Sequence, residues 1–382
     1  MNTVTQSLAK GAVGTALLHI ERALAGHGTW SAAHSWVRAA TAREIVASDS
    51  CGLYLGAPAI AFALHAAHAD GTERYSAPLA ILDAHVRALA YRRIERALTR
   101  IERRERAAFT EYDVFYGLTG IGAHLLAHDP GSDALGRVLD YLVRLSRPLR
   151  VDGRTLPGWW TFHGPNLEDI PEFRDGHANL GIAHGITGPL ALLALAMRRG
   201  IVVDGGAEAI AGICAFLDTW QREDDHGTWW PQWVTLDELR HGRPRQRAPG
   251  RPSWCYGTPG LARAQQLAAI VTGELSRRRM AERALAGCLS DPVQLGRITD
   301  PGLCHGWPGL YQTAYRAAGD ELTPMISPCL PRLAERLTHH TRFGTDGEPG
   351  LLVGAAGLAL AAHTAARGTP PISGWDKCLM IS

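Results

Sequence analysis

Paired glycines punctuate the apolar stretches of this chain. A Gly-x-x-Gly step occurs at Gly11/Gly14, Gly117/Gly120, Gly185/Gly188, Gly257/Gly260, Gly306/Gly309 and Gly354/Gly357. A degenerate copy, "LGAPAIAFAL", keeps Gly56 and puts Ala59 in the second place. Each step leads into a run that is apolar on nearly every side, such as "PLALLALAM" after Gly188 or "LALAAHTAA" after Gly357. A helix apolar all round belongs in an interior. Between these runs lie amphipathic segments, "AYRRIERALTRIERRERAAF" and "PCLPRLAERLTHH", with one face suited to water. The first glycines are 45, 61, 68, 72, 49 and 48 residues apart. A period of this size marks stacked supersecondary units, none of which buries its apolar face alone. Seven units predict an all-α fold, an α/α toroid with seven inner and seven outer helices, formed by residues 1–382 as one domain.

Glycines at each step let seven tight turns crowd together where the inner helices begin. Converging helix N-termini also aim partial positive charge into that mouth. Residues 147–180, "RPLRVDGRTLPGWWTFHGPNLEDIPEFRDGHANL", break the pattern and predict an irregular, partly β insertion. A second excursion, 223–253, is aromatic and then basic. The insertion is a candidate for holding one part of a flexible substrate through a strand edge. The tryptophans Trp159, Trp160, Trp229, Trp230 and Trp233 suit either a groove or loop packing. The charge-dense stretch 92–106 predicts a solvated outer helix laced with ion pairs.

Composition adds exclusions. Lys+Arg 39 against Asp+Glu 37 gives +2, so no global field draws nucleic acid or an anionic membrane. The start "MNTVTQSLAKGAVG" lacks the design of a secretory signal. The longest apolar runs carry His, Gly or Pro and read as buried helices rather than membrane spans. Seven scattered cysteines suit reduced thiols or a metal in the cytoplasm, not a disulfide framework.

The chemistry concentrates at the glycine turns. "SWCYGTPG" and "LCHGWPG" place Cys255 and Cys304 each two residues before the first glycine of adjacent units, with His305 beside Cys304. Equivalent turns bring these three side chains to one rim. A buried thiol next to a hydrogen-bonded histidine is one reading. A zinc ion held by three ligands, with the fourth position open as in catalytic sites, is the other. Cys51, Cys214, Cys288, Cys329 and Cys378 have no rim placement and read as core or surface thiols. His184, immediately before Gly185, also falls at the mouth.

The segments "SWCYGTPG", "LCHGWPGLYQTAYR" and "NLGIAHGITGPLALLALA", with the "GWDKCLMIS" tail, resemble the LanC family of lanthionine cyclases over essentially the whole chain. The resemblance implies an α/α toroid with one Zn2+ bound by Cys255, Cys304 and His305. It implies addition of a peptide cysteine thiol to dehydroalanine or dehydrobutyrine, giving a thioether ring. It makes His184 a general acid/base, while Asp113 in "YDVFYGLTG" either orients a histidine or caps a helix. Arg251 and Tyr256, four residues before and one after Cys255, are candidates to stabilise an enolate or to pack. The implied partners are a dehydrated precursor peptide, leader plus core, and a separate lanthipeptide dehydratase. The implied location is the cytoplasm, compatible with a peripheral place in a membrane-associated biosynthetic complex. The rival functions are binding or transfer of a small thiol such as glutathione, a scaffolding zinc protein, and a toroid glycosidase. The last would need two carboxylates flanking a cleft, where this chain has thiols.

Overall fold

The computed structural model describes residues 3–168, 170–343 and 348–382. Helices alternate between two layers. The inner ones are α1 (Ala12–Leu24), α3 (Ala57–Ala66), α5 (Leu118–His128), α7 (Thr187–Arg198), α9 (Thr258–Thr272), α11 (Trp307–Ala318) and α13 (Ala355–Arg367). The outer ones are α2 (Trp30–Ala40), α4 (Ser76–Glu102), α6 (Asp133–Leu145), α8 (Gly206–Trp220), α10 (Leu275–Ser290) and α12 (Leu330–Phe343). Each inner helix packs on the next and α13 packs back on α1, so the ring closes. The fold is the α/α toroid that the glycine repeat predicts.

Six inner helices take the first glycine of their step as N-cap: Gly11, Gly56, Gly117, Gly257, Gly306 and Gly354. The exception is α7, capped by Ile186, one residue beyond Gly185. The second glycine is required by space. A Cβ on Gly14, Gly120, Gly188, Gly260, Gly309 or Gly357 would run into the carbonyl of the residue six positions earlier. Of the first glycines that cap, only Gly56 needs left-handed backbone, with φ 69. Backbone hydrogen bonds stitch neighbouring turns around the mouth. Leu351 N–H donates to Leu8 O, Leu8 to Tyr54 O, Val114 to Ala183 O, Ile182 to Cys255 O and Cys304 to Leu352 O, each at 3.0 Å.

One count differs from expectation. Six outer helices, not seven, are found among the described residues. After α13 the chain instead turns into a short 3-10 segment, Trp375–Leu379, whose Trp375, Asp376, Cys378 and Leu379 are buried. Tyr54 Oη donates to Cys378 O, Trp254 Nε1 to Leu379 O and Arg263 Nε to Ile381 O, at 2.9, 2.8 and 2.9 Å. Asp376 accepts from Gln312 and Arg316. Partners from widely separated repeats place the tail inside the ring, where it fills the space that seven helices leave. A buried polar backbone must find such partners, which explains why polar residues sit on otherwise apolar inner helices.

The insertion is partly β, as the loss of helical period predicts. Strands β1 (Leu149–Val151) and β2 (Arg154–Leu156) form a hairpin, and β3 (His177–Asn179) ends the segment. The second excursion holds a hairpin of β4 (Arg222–Asp224) and β5 (Gly227–Trp229), then β6 (Trp233–Thr235). Strand β3 pairs antiparallel with β6, joining the two excursions, a pairing no local pattern announces. Trp159, Trp160, Trp229 and Trp230 are buried packing residues, so among the five tryptophans only the half-buried Trp233 lines a cleft. Because Trp159, Trp160, Phe173, Ala178 and Leu180 are core residues, residues 157–180 cannot be excised as a free appendage. The outer helix α4 has ion pairs as predicted, with Arg92 and Arg96 on Asp49. Its Arg93 is different: it is buried and donates to the carbonyls of Cys51, Thr110 and Tyr116.

Candidate metal centre and mouth of the ring

Cys255, Cys304 and His305 come together. One donor atom from each lies within 4.8 Å of the others. The turns that precede α9 and α11 hold them. Cys255 is buried, with its Sγ 3.6 Å from Ser253 Oγ. A hydrogen bond from Cys304 pushes the Cys255 thiol well below its usual value, with His305 and Ser253 helping against burial. His305 is pushed up by its hydrogen bond with Cys255. Asp300 Oδ2 lies 3.2 Å from His305 Nε2. A carboxylate on one imidazole nitrogen orients the ring and makes the other nitrogen a better ligand. Asp300 escaped the sequence reading, although an acid five residues before His305 in "DPGLCH" was the available signal.

Two thiols, one readily ionised, and an oriented imidazole form a donor set suited to zinc, and three protein ligands leave one position for another group. The residues present therefore fit the ion. Cys51, Cys214, Cys288 and Cys378 are buried away from this group, and burial raises each of their thiols.

The mouth carries a second constellation. His184 Nδ1 donates to Asp113 Oδ2 at 2.6 Å. Asp113 is fully buried, and its other oxygen accepts from the backbone N–H of Tyr116 at 2.7 Å and Gly117 at 2.6 Å. The geometry matches the histidine-holding reading of Asp113: Oδ2 meets His184, while Oδ1 ties the turn before α5, which has no side-chain cap. The His184 ring is caged by Phe109 and Phe115, with centroids 4.9 and 4.7 Å away, and near-parallel to Tyr116. With Nδ1–H held by the carboxylate, Nε2 carries the lone pair.

Tyr256 connects the two constellations, its ring centroid 6.3 Å from that of His184. Its hydroxyl accepts from Asn179 Nδ2 at 3.0 Å, and burial raises the phenol. Asn179, at the end of β3, is fully buried and also accepts from Gly181 N–H at 3.1 Å. Sequence reasoning missed Asn179, because its partner is 77 residues away in the chain. Tyr256, Cys255, Arg251, Trp233 and Arg297 line a cleft of about 460 Å³ at this mouth. Arg251 is there as expected, while Arg297 was not foreseen.

A family model described as lanthionine synthetase C-like protein matches residues 3–380. The chain belongs to the lanthionine synthetase C-like family. Among curated relatives of this family, the nisin biosynthesis protein NisC of Lactococcus lactis subsp. lactis is 26% identical over 264 residues. That match covers 68% of this chain and 60% of NisC. A solved structure titled nisin cyclase superposes with a TM-score of 0.84 at 20% identity, covering 100% of this chain and 93% of that one. The lanthionine synthetase C-like fold and its α/α toroid are therefore shared over the whole chain. No described helix of this family member is long and apolar enough to cross a membrane.

Proposed function

We propose that this chain is a zinc-dependent lanthionine cyclase. It adds cysteine thiols of a dehydrated precursor peptide, leader plus core, to dehydroalanine or dehydrobutyrine, closing (methyl)lanthionine thioether rings. The observation that carries this reading is the shared mouth: Cys255, Cys304 and His305 within 4.8 Å of one another, and the Asp113–His184 pair one tyrosine ring away. Family membership supports the same reaction.

Cys255, Cys304 and His305 would hold the ion, which when bound lowers the pKa of a thiol and supplies thiolate at neutral pH. Only the thiolate is a good nucleophile. His184 Nε2 takes the proton released by the peptide thiol, and Asp113 stabilises the imidazolium through Nδ1–H. The sulfur bonds to the β-carbon of the dehydro residue, and the π electrons move onto the carbonyl as an enolate. The Arg251 guanidinium and the Tyr256 hydroxyl, both at the cleft wall, face the developing negative charge. Burial keeps Tyr256 protonated and so able to donate. The imidazolium then returns its proton to the α-carbon, so atoms and charge balance and the peptide mass is unchanged.

The dehydro residues are made by a separate dehydratase, and the reaction belongs in the cytoplasm. The test is incubation of the protein with a dehydrated, cysteine-containing precursor, followed by thiol alkylation and mass spectrometry. Cyclisation leaves the mass constant and removes alkylatable thiols. Transfer of a small thiol such as glutathione would instead raise the mass, and a scaffolding protein would leave every thiol open to alkylation.

A further inference from the structure

A second cluster of ligand-type side chains lies at the end of the ring remote from the mouth. His65 is in the last turn of α3, and His124 and His128 are in the final turns of α5. Asp83 comes from α4, which covers both inner helices. Asp83 Oδ1 is 2.9 Å from His65 Nε2 and 3.8 Å from His124 Nε2. One donor atom from each of His65, Asp83 and His124 lies within 4.8 Å of the others. The His128 ring stacks on His65 with centroids 4.4 Å apart, and its centroid is 5.2 Å from that of His124. Along α5, His124 lies about 9 Å and His128 about 15 Å beyond Leu118, where the helix leaves the mouth, at the α-helical rise.

Hydrogen bonding within the protein satisfies this group only in part, through the His65 Nε2–Asp83 Oδ1 contact. His128 Nε2 is buried and has no hydrogen-bond partner among the described residues; on His124 the unpartnered nitrogen is Nδ1, opposite the Nε2 that faces Asp83. Buried nitrogens of this kind cost free energy unless something meets them. His68, nearby, is not available, because its Nε2 is taken up by the Arg74 carbonyl. Two helix C-termini, those of α3 and α5, point partial negative charge at the site, adding to the Asp83 carboxylate. Lys377 is the opposing cation, acting on His128, and burial lowers its own ammonium.

We propose that His65, Asp83 and His124 form a second metal site, taking a divalent transition ion, with His128 beside it as a fourth imidazole. Imidazole and carboxylate donors favour ions of the zinc, cobalt and nickel type over calcium or magnesium. Ligand atoms about 2 Å from a tetrahedral ion stand about 3.3 Å apart, so the present spacing needs only side-chain adjustment. Such an ion would tie α3, α4 and α5 together far from the substrate, as a structural staple. It differs from the mouth in having no sulfur ligand, which makes the two sites separable by spectroscopy.

The experiment titrates the metal-stripped full chain with Co2+ alone, following absorbance. Two equivalents are expected: one with a sulfur-to-metal charge-transfer band from Cys255 and Cys304, and one with ligand-field bands only. His65→Ala and His124→Gln should each remove the second equivalent and leave the charge-transfer band. Cys255→Ala should do the reverse, so failure of the mouth reading leaves the second site readable. Should His124→Gln fail to fold, the half-buried His65→Ala and the unaltered chain decide the matter. A folded chain that binds only sulfur-ligated Co2+, or a sulfur-free equivalent that persists in both histidine variants, overturns the proposal.

Discussion

Replacing Asp113 by Asn separates its two roles at the mouth. Oδ1 accepts from the Tyr116 and Gly117 N–H groups at 2.7 and 2.6 Å, and an amide oxygen can keep both bonds. Oδ2 accepts from His184 Nδ1 at 2.6 Å, and there the Asn NH2 must donate instead. The imidazole is forced into the other tautomer, with Nε2 protonated and unable to take a proton. Loss of the charged partner from a buried hydrogen bond costs about 1.5–3 kcal/mol of stability. Loss of general acid–base help costs on the order of 10²–10⁴ in rate. Asp113→Ala is worse for the fold, because it orphans the buried Gly117 N–H at about 1–3 kcal/mol and also frees the partly exposed Tyr116 N–H. The assay pairs thermal melting by circular dichroism with single-turnover cyclisation of a dehydrated precursor, read by alkylation and mass spectrometry. Asp113→Asn should retain the fold and the mouth metal while the cyclisation rate collapses. His184→Ala should give a similar rate, since the two residues act as one unit. An Asp113→Asn protein that cyclises at the normal rate refutes the orientation argument.

Cys304→Ala should abolish zinc binding, read by metal analysis, while the helical circular dichroism signal survives, because the ring core forms without metal. Gly309→Ala drives a Cβ into the Leu303 carbonyl and should lower stability by about 1–3 kcal/mol, read by denaturant melts; an unchanged midpoint would show that the turn yields. His177 is buried where β3 meets the ring, and burial lowers its imidazole from 6.5 to about 4. The unfolded chain therefore binds the extra proton in that window, so stability is full above pH 6.5 and falls towards pH 4. His177→Gln should flatten the melting temperature over the same range. Replacing residues 150–155 of the exposed β1–β2 hairpin with a short linker should spare fold and metal but weaken precursor binding, measured by fluorescence anisotropy; normal affinity would place recognition elsewhere.

The period of glycine steps determined the architecture because its cause is local. At six of the seven units a Cβ on the second glycine would strike the carbonyl six residues earlier, so glycine recurs there, with Ala59 as the exception. The same period placed Cys255, Cys304 and His305 at one rim, since equivalent turns put equivalent positions at one height. It also carried His184 to the mouth. The sequence did not disclose partners that meet across the ring: Asn179 with Tyr256, Arg93 with three loop carbonyls, β3 with β6. Each pair lies far apart in the chain and follows no period. The missing outer helix was invisible for a related reason. Repetition predicts a seventh copy, but closing a ring leaves a hole on its axis, and the final segment is drawn inward to fill it. The histidine cluster has the same origin, because His65, Asp83 and His124 read as unrelated positions on three helices until packing brings one donor atom of each within 4.8 Å of the others. Local sterics repeat and so can be read along a chain, whereas the contacts that close a ring exist only once it is closed.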